Sequence, residues 1–140
     1  MHSFSFLEKK DCIYRRGNPM AFCINWTAND NLEDVFFRMI IRSANDIPVG
    51  LVQSETMGNY KNGEKTSSSF SFDTSLLADG KYFLSIALFQ KDDVGNSVIL
   101  DHVTRACSFE IIGKTDEEQK LRWENRWWGC VKFPALKSLN

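Results

Sequence analysis

A chain of 140 residues that is 43% hydrophobic fits one globular domain, which at this size buries about 68–70% of its unfolded surface without metals or staples. Its 17 basic and 18 acidic residues leave a formal charge of −1 with no Lys/Arg block, which excludes the dense positive field that a nucleic-acid backbone requires. No apolar run approaches the roughly 20 residues that span a bilayer, and "MHSFSFLEKKDC" holds no basic region followed by an apolar stretch, so the chain reads as soluble and cytosolic.

Along the chain, "HSFSFL" alternates like a first strand with no leader before it, as an internal start within a longer protein would. "MAFCINWTA" sets Met20, Phe22, Ile24 and Trp26 on one side, with Trp26 a core residue by parity. "VFFRMIIRS" sets Val35, Phe37, Met39 and Ile41 against Phe36, Arg38, Ile40 and Arg42. "SSFSFD" adds Phe70 and Phe72, and "KYFLSIALFQ" sets Tyr82, Leu84, Ile86 and Leu88 inward, with Phe83, Ser85, Ala87 and Phe89 outward. "ACSFEII" adds Cys107, Phe109 and Ile111. Turn clusters separate these runs, with no long amphipathic helix between them, so the expected fold is all-β, an antiparallel β-sandwich. The Tyr82 of "LLADGKY" resembles the tyrosine corner of immunoglobulin-like sandwiches, a structural role.

After Gly113 the texture becomes charged. Thr115 and Glu118 could cap a short helix, and Val131 and Phe133 alternate like a last strand before Pro134. Residues 1–113 thus read as the sandwich body, and 114–140 as a polar tether and final strand of the same domain. That strand could pair with its own domain or with a neighbour's.

Few motifs carry chemistry. "GNYKNGEKT" fails as a phosphate loop because Glu64 stands where a lysine is needed and a strand comes next. Cys12, Cys23, Cys107 and Cys130 have no CxxC spacing, so no zinc or other metal site is expected. His102 is the one internal histidine, without a Gly-framed nucleophile, and Asp101–His102 reads as a turn between strands. An enzyme working through Asp101, His102 or a cysteine is the weakest of the functional readings. What remains is aromatic and polar surface suited to sugars: Trp123, Trp127, Trp128 and Tyr60 as stacking platforms, with Arg38, Arg42, Asp101 and His102 to bond hydroxyls. Tryptophans at a chain end also plug cores or interfaces, which composition alone favours. Phe36, Ile40, Phe83 and Phe89 interleave with Arg38 and Arg42 on an outward face that would ordinarily be polar, so a terminal segment, a partner subunit or a ligand should cover it.

"RRGNPMAFCINW", "LLADGKYFLSI", "LDHVTRACSFEI" and the terminal "WWGCVKFPAL", in this order and spacing, resemble the C-terminal domain of the ATPase subunit of Wzt-type ABC transporters, which export O-antigen and related lipid-linked polysaccharides. The resemblance implies an immunoglobulin-like sandwich, without catalytic activity, that binds the exported glycan. It also implies a homodimer in which Trp127, Trp128, Gly129, Val131 and Phe133 form an exchanged last strand and its anchors, with Trp123 near the tether. ATP and magnesium would belong to a preceding nucleotide-binding domain, whose Walker motif these residues lack. The ATPase and membrane permease would be partners, at the cytoplasmic face of the membrane. The alternative is a structural dimerisation module that binds no glycan. The resemblance singles out no sugar-binding residues, so Trp123, Tyr60, Arg38, Arg42, Asp101 and His102 rest on chemistry and parity.

Overall fold

The computed structural model describes the backbone of residues 3–6 and all of 11–115 and 122–139. The alternating runs become β1 (Ser3–Phe6), β2 (Ile13–Arg15), β3 (Met20–Thr27), β4 (Leu32–Ser43), β5 (Pro48–Gln53), β6 (Gly58–Tyr60), β7 (Lys65–Phe72), β8 (Gly80–Lys91) and β9 (Ser97–Ile112); a single helical turn, α1 (Asn125–Trp128), comes after them. One sheet runs β1-β3-β7 and the other β2-β9-β8-β4-β5, with β6 also pairing β4. The pairings are antiparallel except that of β2 with β9. This is the all-β sandwich that the alternation predicts.

The core lies between the sheets. Met20, Phe22, Ile24 and Trp26 of the smaller sheet face Val35, Phe37, Met39, Ile41, Tyr82, Leu84, Ile86 and Leu88 of the larger, all buried. Phe37 stacks on Phe70 at 5.1 Å and meets Phe22 at 5.7 Å, joining the two layers. Such pairs add about 0.5–1.5 kcal/mol each beyond the area they bury.

Two corners fasten the loops. The Tyr82 hydroxyl donates to the Ala78 carbonyl at 2.5 Å, four residues upstream, as a tyrosine corner does, and burial raises its pKa. Thr74, wholly buried, donates from its hydroxyl to the Asn18 carbonyl (2.8 Å) and accepts from the Gly17 amide (3.0 Å). Nearby, Arg16 and Asp79 form an ion pair at 2.9 Å.

β8 and β9 form a long hairpin. At its tip, one carboxylate oxygen of Asp92 accepts from the amides of Val94 and Asn96, while the Gly95 amide reaches the Asp92 carbonyl. Asp101 and His102, expected in a turn, instead lie within β9. The turn chemistry is all in Asp92–Asn96, and from Ser97 the chain runs on as one 16-residue strand bent by irregularities. The larger is a bulge: Leu84 pairs with Cys107 and Ile86 with Val103, so Ser85 stands opposite Thr104, Arg105 and Ala106. Arg105 adopts a left-handed φ of 52° there. For a non-glycine residue, such a conformation costs on the order of 1–3 kcal/mol.

The tail departs from the expected last strand. Trp127 and Trp128 sit in α1, with their amides bonded to the Glu124 carbonyl, and Gly129 ends the turn at φ 81°. A glycine is needed at that left-handed position. Among the described residues of the tail, only Val131 makes a strand-like contact, an isolated bridge to Leu77, flanked by Ala78 N–H to the Cys130 carbonyl (3.0 Å) and Lys132 N–H to the Leu76 carbonyl (2.8 Å). Phe133 is 75% exposed. The helix start expected at Thr115 and Glu118 extends outside the described residues.

Candidate functional site

In a sheet, residues paired across strands share a face. The outer face of the larger sheet is therefore set by the register in four rows. Phe36, Phe89 and Ile99 form the first; Gln53, Arg38, Ala87 and His102 the second; Leu51, Ile40 and Ser85 the third; and Arg42, Phe83 and Ser108 the fourth. Four strands at normal spacing make the second row about 14 Å wide, and Arg38 and Arg42 lie about 13 Å apart along β4. Arg38, Arg42 and His102 thus come together on one face, although β4 and β9 are separated by β8.

The face has an aromatic floor. Phe36 stacks on Phe89 at 5.3 Å, and the Arg38 guanidinium lies 4.2 Å from the Phe89 ring centre. The Arg105 guanidinium lies 4.7 Å from the Phe83 centre, and the Lys91 ammonium 5.6 Å from that of Phe36. Phe89, Ala87 and Ser85 are buried although they point away from the core, covered in part by these cationic side chains. Arg38 Nη2 donates to Gln53 Oε1 at 3.3 Å, whereas its Nε is buried without a hydrogen-bond partner. Arg42 Nη1 reaches the Asp46 carbonyl at 3.3 Å.

The other expected site residues lie elsewhere. Asp101 pairs with Leu88 and so belongs to the opposite face of β9. There it lines a cleft of ≈ 340 Å³ at the end of the sandwich with Trp26, Asn29, Asp30 and Leu100. Tyr60 packs edge-on against Trp26 at 4.5 Å and donates to the Met57 carbonyl at 3.0 Å; burial, with Glu64 adding, raises its pKa. That is a packing role. Trp123 is tied into the tail, its indole N–H donating to the Gly129 carbonyl at 2.7 Å and its ring meeting Trp128 edge-on at 5.3 Å. The described part of the tail contacts Leu76–Ala78, Gly80, the Tyr82 hydroxyl through the Cys130 carbonyl (3.4 Å) and, beside a shared cleft, the turn between β4 and β5. It does not cover the Phe/Arg face there. Among the described residues, no cluster of three or more His, Cys, Asp or Glu could hold a metal, and no helix is long and apolar enough to cross a membrane.

Sequence reasoning misses Arg105. Counted in strict alternation from Val103, which pairs with Ile86, Arg105 would enter the core; the bulge turns it outward. The signal for it is length, because "SVILDHVTRACSFEII" outruns its partner strand by four residues, 16 against 12.

No match is found among curated proteins. A solved structure described as the C-terminal domain of Wzt superposes with a TM-score of 0.69 at 14% identity, over 90% of this chain and 72% of that one. The CARDB domain of a Pyrococcus furiosus protein, solved by NMR, aligns at TM-score 0.46 and 11% identity, over 81% of this chain and 94% of its own. At sequence level, the profile of the Wzt C-terminal domain matches residues 2–132, nearly the whole sandwich and its docked tail. With the fold and the profile in agreement, the chain belongs to the Wzt C-terminal domain family.

Proposed function

We propose that this domain is a non-catalytic carbohydrate-binding module that recognises a lipid-linked O-antigen-type polysaccharide for export by an ABC transporter. The observation that carries the reading is the outer face of the larger sheet, where the half-buried Phe36 and Phe83 lie among Arg38, Arg42, Gln53 and His102, with Phe89 buried beneath them. Aromatic rings offer flat apolar platforms to the C–H faces of sugars, and the flanking donors bond hydroxyls. Affinity should be weak per sugar, because each hydroxyl exchanges water bonds at little net gain. On this reading the domain works at the cytoplasmic face of the membrane. ATP and magnesium are then handled by the ATPase portion of the transporter, and the permease conducts the chain.

The test is a titration of the 140-residue chain with the export-ready polysaccharide of its source cell and with an unmodified precursor, monitored by backbone amide NMR. Saturable shifts confined to β4, β8 and β9 support the reading. No response at high glycan concentration overturns it.

A second reading, a homodimerisation module, has its own observation. Trp127 is 72% exposed, Trp128 50% and Phe133 75%, three large apolar side chains in one short segment. In a dimer, an exchanged or mutually packed tail would cover them. Sedimentation at increasing concentration separates the readings, since self-association without a glycan response favours the dimerisation module.

A further inference from the structure

Resting on the glycan-binding reading above, we infer that the outer face of the larger sheet selects an acidic polysaccharide, one whose sugars carry carboxylate or phosphate groups, through Arg38, Arg42 and Arg105. The four rows of that face hold Arg38 and Arg42 and no Asp or Glu, and the next row, at its edge, pairs Lys81 with Glu110, one charge of each sign. Arg105 joins them over Phe83, and Lys91 lies at the margin over Phe36. Among the described residues, the nearest anionic contact is Asp46 Oδ1, 3.9 Å from Arg105 Nη2, between two exposed side chains. At that separation and exposure the pair neutralises little. Arg42 meets Asp46 only through a carbonyl, and Arg38 meets the neutral amide of Gln53 with its Nε left over. The cationic groups are thus held in place by rings and neutral oxygens, with donors to spare.

Covering aromatic rings does not by itself account for the arrangement. Arg105 reaches Phe83 only because β9 bulges at a left-handed non-glycine residue, a conformation that costs more than an exposed cation–π contact returns. Bulges that re-aim side chains gather beside functional sites. A planar guanidinium fork matches the paired oxygens of a carboxylate or phosphate, and charge-assisted bonds of this kind are about twice as strong as neutral ones. Sugar hydroxyls both donate and accept, and the acceptors between the arginines, Gln53 and Ser108, are neutral, so the centre of the face keeps a net positive charge.

The experiment uses the 140-residue chain and three forms of the source cell's purified polysaccharide: native, carboxyl-reduced by carbodiimide and borohydride, and dephosphorylated by aqueous hydrogen fluoride. Binding is measured by calorimetry and amide shifts. The expected result is that one treatment weakens binding by about tenfold or more, and that Arg38→Gln, Arg42→Gln and Arg105→Gln do likewise on the native form. The treatment that matters identifies the anionic group. Arg105 lies on the exposed side of a bulge, so Arg105→Gln still reports if Arg38→Gln fails to fold. Raising salt from about 50 to about 500 mM should weaken native binding, on the order of the screening expected at a surface. Equal affinity for all three forms overturns the inference and leaves glycan binding standing. No binding of the native form overturns both.

Discussion

The guanidinium carbon of Arg38 rests 4.2 Å from the centre of the Phe89 ring, and Phe89 is 1% exposed although it points away from the sandwich core. The larger sheet thus has a second, thin apolar layer on its outer face, closed by Phe36 and by the stems and heads of cationic side chains. Phe89→Ala should cost about 3–5 kcal/mol in urea denaturation, as for a core phenylalanine. Arg38→Gln should cost only about 1 kcal/mol, because the cation–π contact is modest. An equal loss from both would make Arg38 a packing residue first.

Tyr82→Phe removes one hydroxyl and leaves the Ala78 carbonyl without its donor in a buried corner. The expected loss is about 1–3 kcal/mol, with the fold retained by NMR.

Gly80 lies at φ 152°, and a Cβ there would sit 2.6 Å from Asn125 Nδ2. Gly80→Ala should therefore push α1 away from the sandwich as well as strain the backbone by about 1–3 kcal/mol. Hydrogen exchange should speed up at the amides of Trp127, Trp128 and Gly129, whose bonds hold that turn. Unchanged protection there would show that Asn125 yields without moving the helix.

Trp127→Ala and Trp128→Ala should leave the thermal midpoint nearly unchanged at low protein concentration, since both rings are half or more exposed in one chain. If the domain dimerises through its tail, the same variants should weaken association in sedimentation. Trp123→Ala, by contrast, breaks the bond to Gly129 and should loosen the tail even in a monomer.

Alkali should destabilise the fold from about pH 9 upward. Burial, with Cys12 nearby, pushes the Cys107 thiol from 9.0 to about 12, and burial, with Cys12, Cys107 and Asp11 adding, pushes Tyr14 from 10.0 to about 12. In both, the unfolded chain loses its proton first, so stability is full below the unfolded pKa and declines as pH rises through the window toward about 12. Thermal midpoints measured from about pH 8 to about pH 11 should fall, and Cys107→Ala should make the decline shallower, leaving the contributions of Cys130, whose thiol burial also pushes up, and of the tyrosines. A flat profile would place these groups in less buried surroundings.

The strands are legible in the sequence because their chemistry is local: each inward set recurs at every second residue, and Tyr82 announces its corner through "ADGKY". Arg38 and Arg42 can be placed outward for the same reason. His102 cannot be set beside them from the sequence, because that depends on the β8–β9 register, and the polar Asp101–His102 pair imitates a turn inside a strand. Asp101 illustrates the converse, since one residue of offset sends it to the opposite face and into the end cleft. Trp127 and Trp128 are placed in a last strand by the family resemblance and not by alternation, which marks only Val131 and Phe133; the helical turn ended by Gly129 has no periodic signal in so short a segment.

The Asp92–Asn96 turn at the tip of the long hairpin has a kinetic consequence. Closing so short a loop loses little chain entropy, so β8 and β9 can zip together before the distant pairing of β3 with β7 is organised. Asp92→Ala, which removes the acceptor for Val94 and Asn96, should then slow refolding more than it speeds unfolding. Lesions in the tail, held by one bridge at Val131, should instead act on the unfolding limb of a chevron plot.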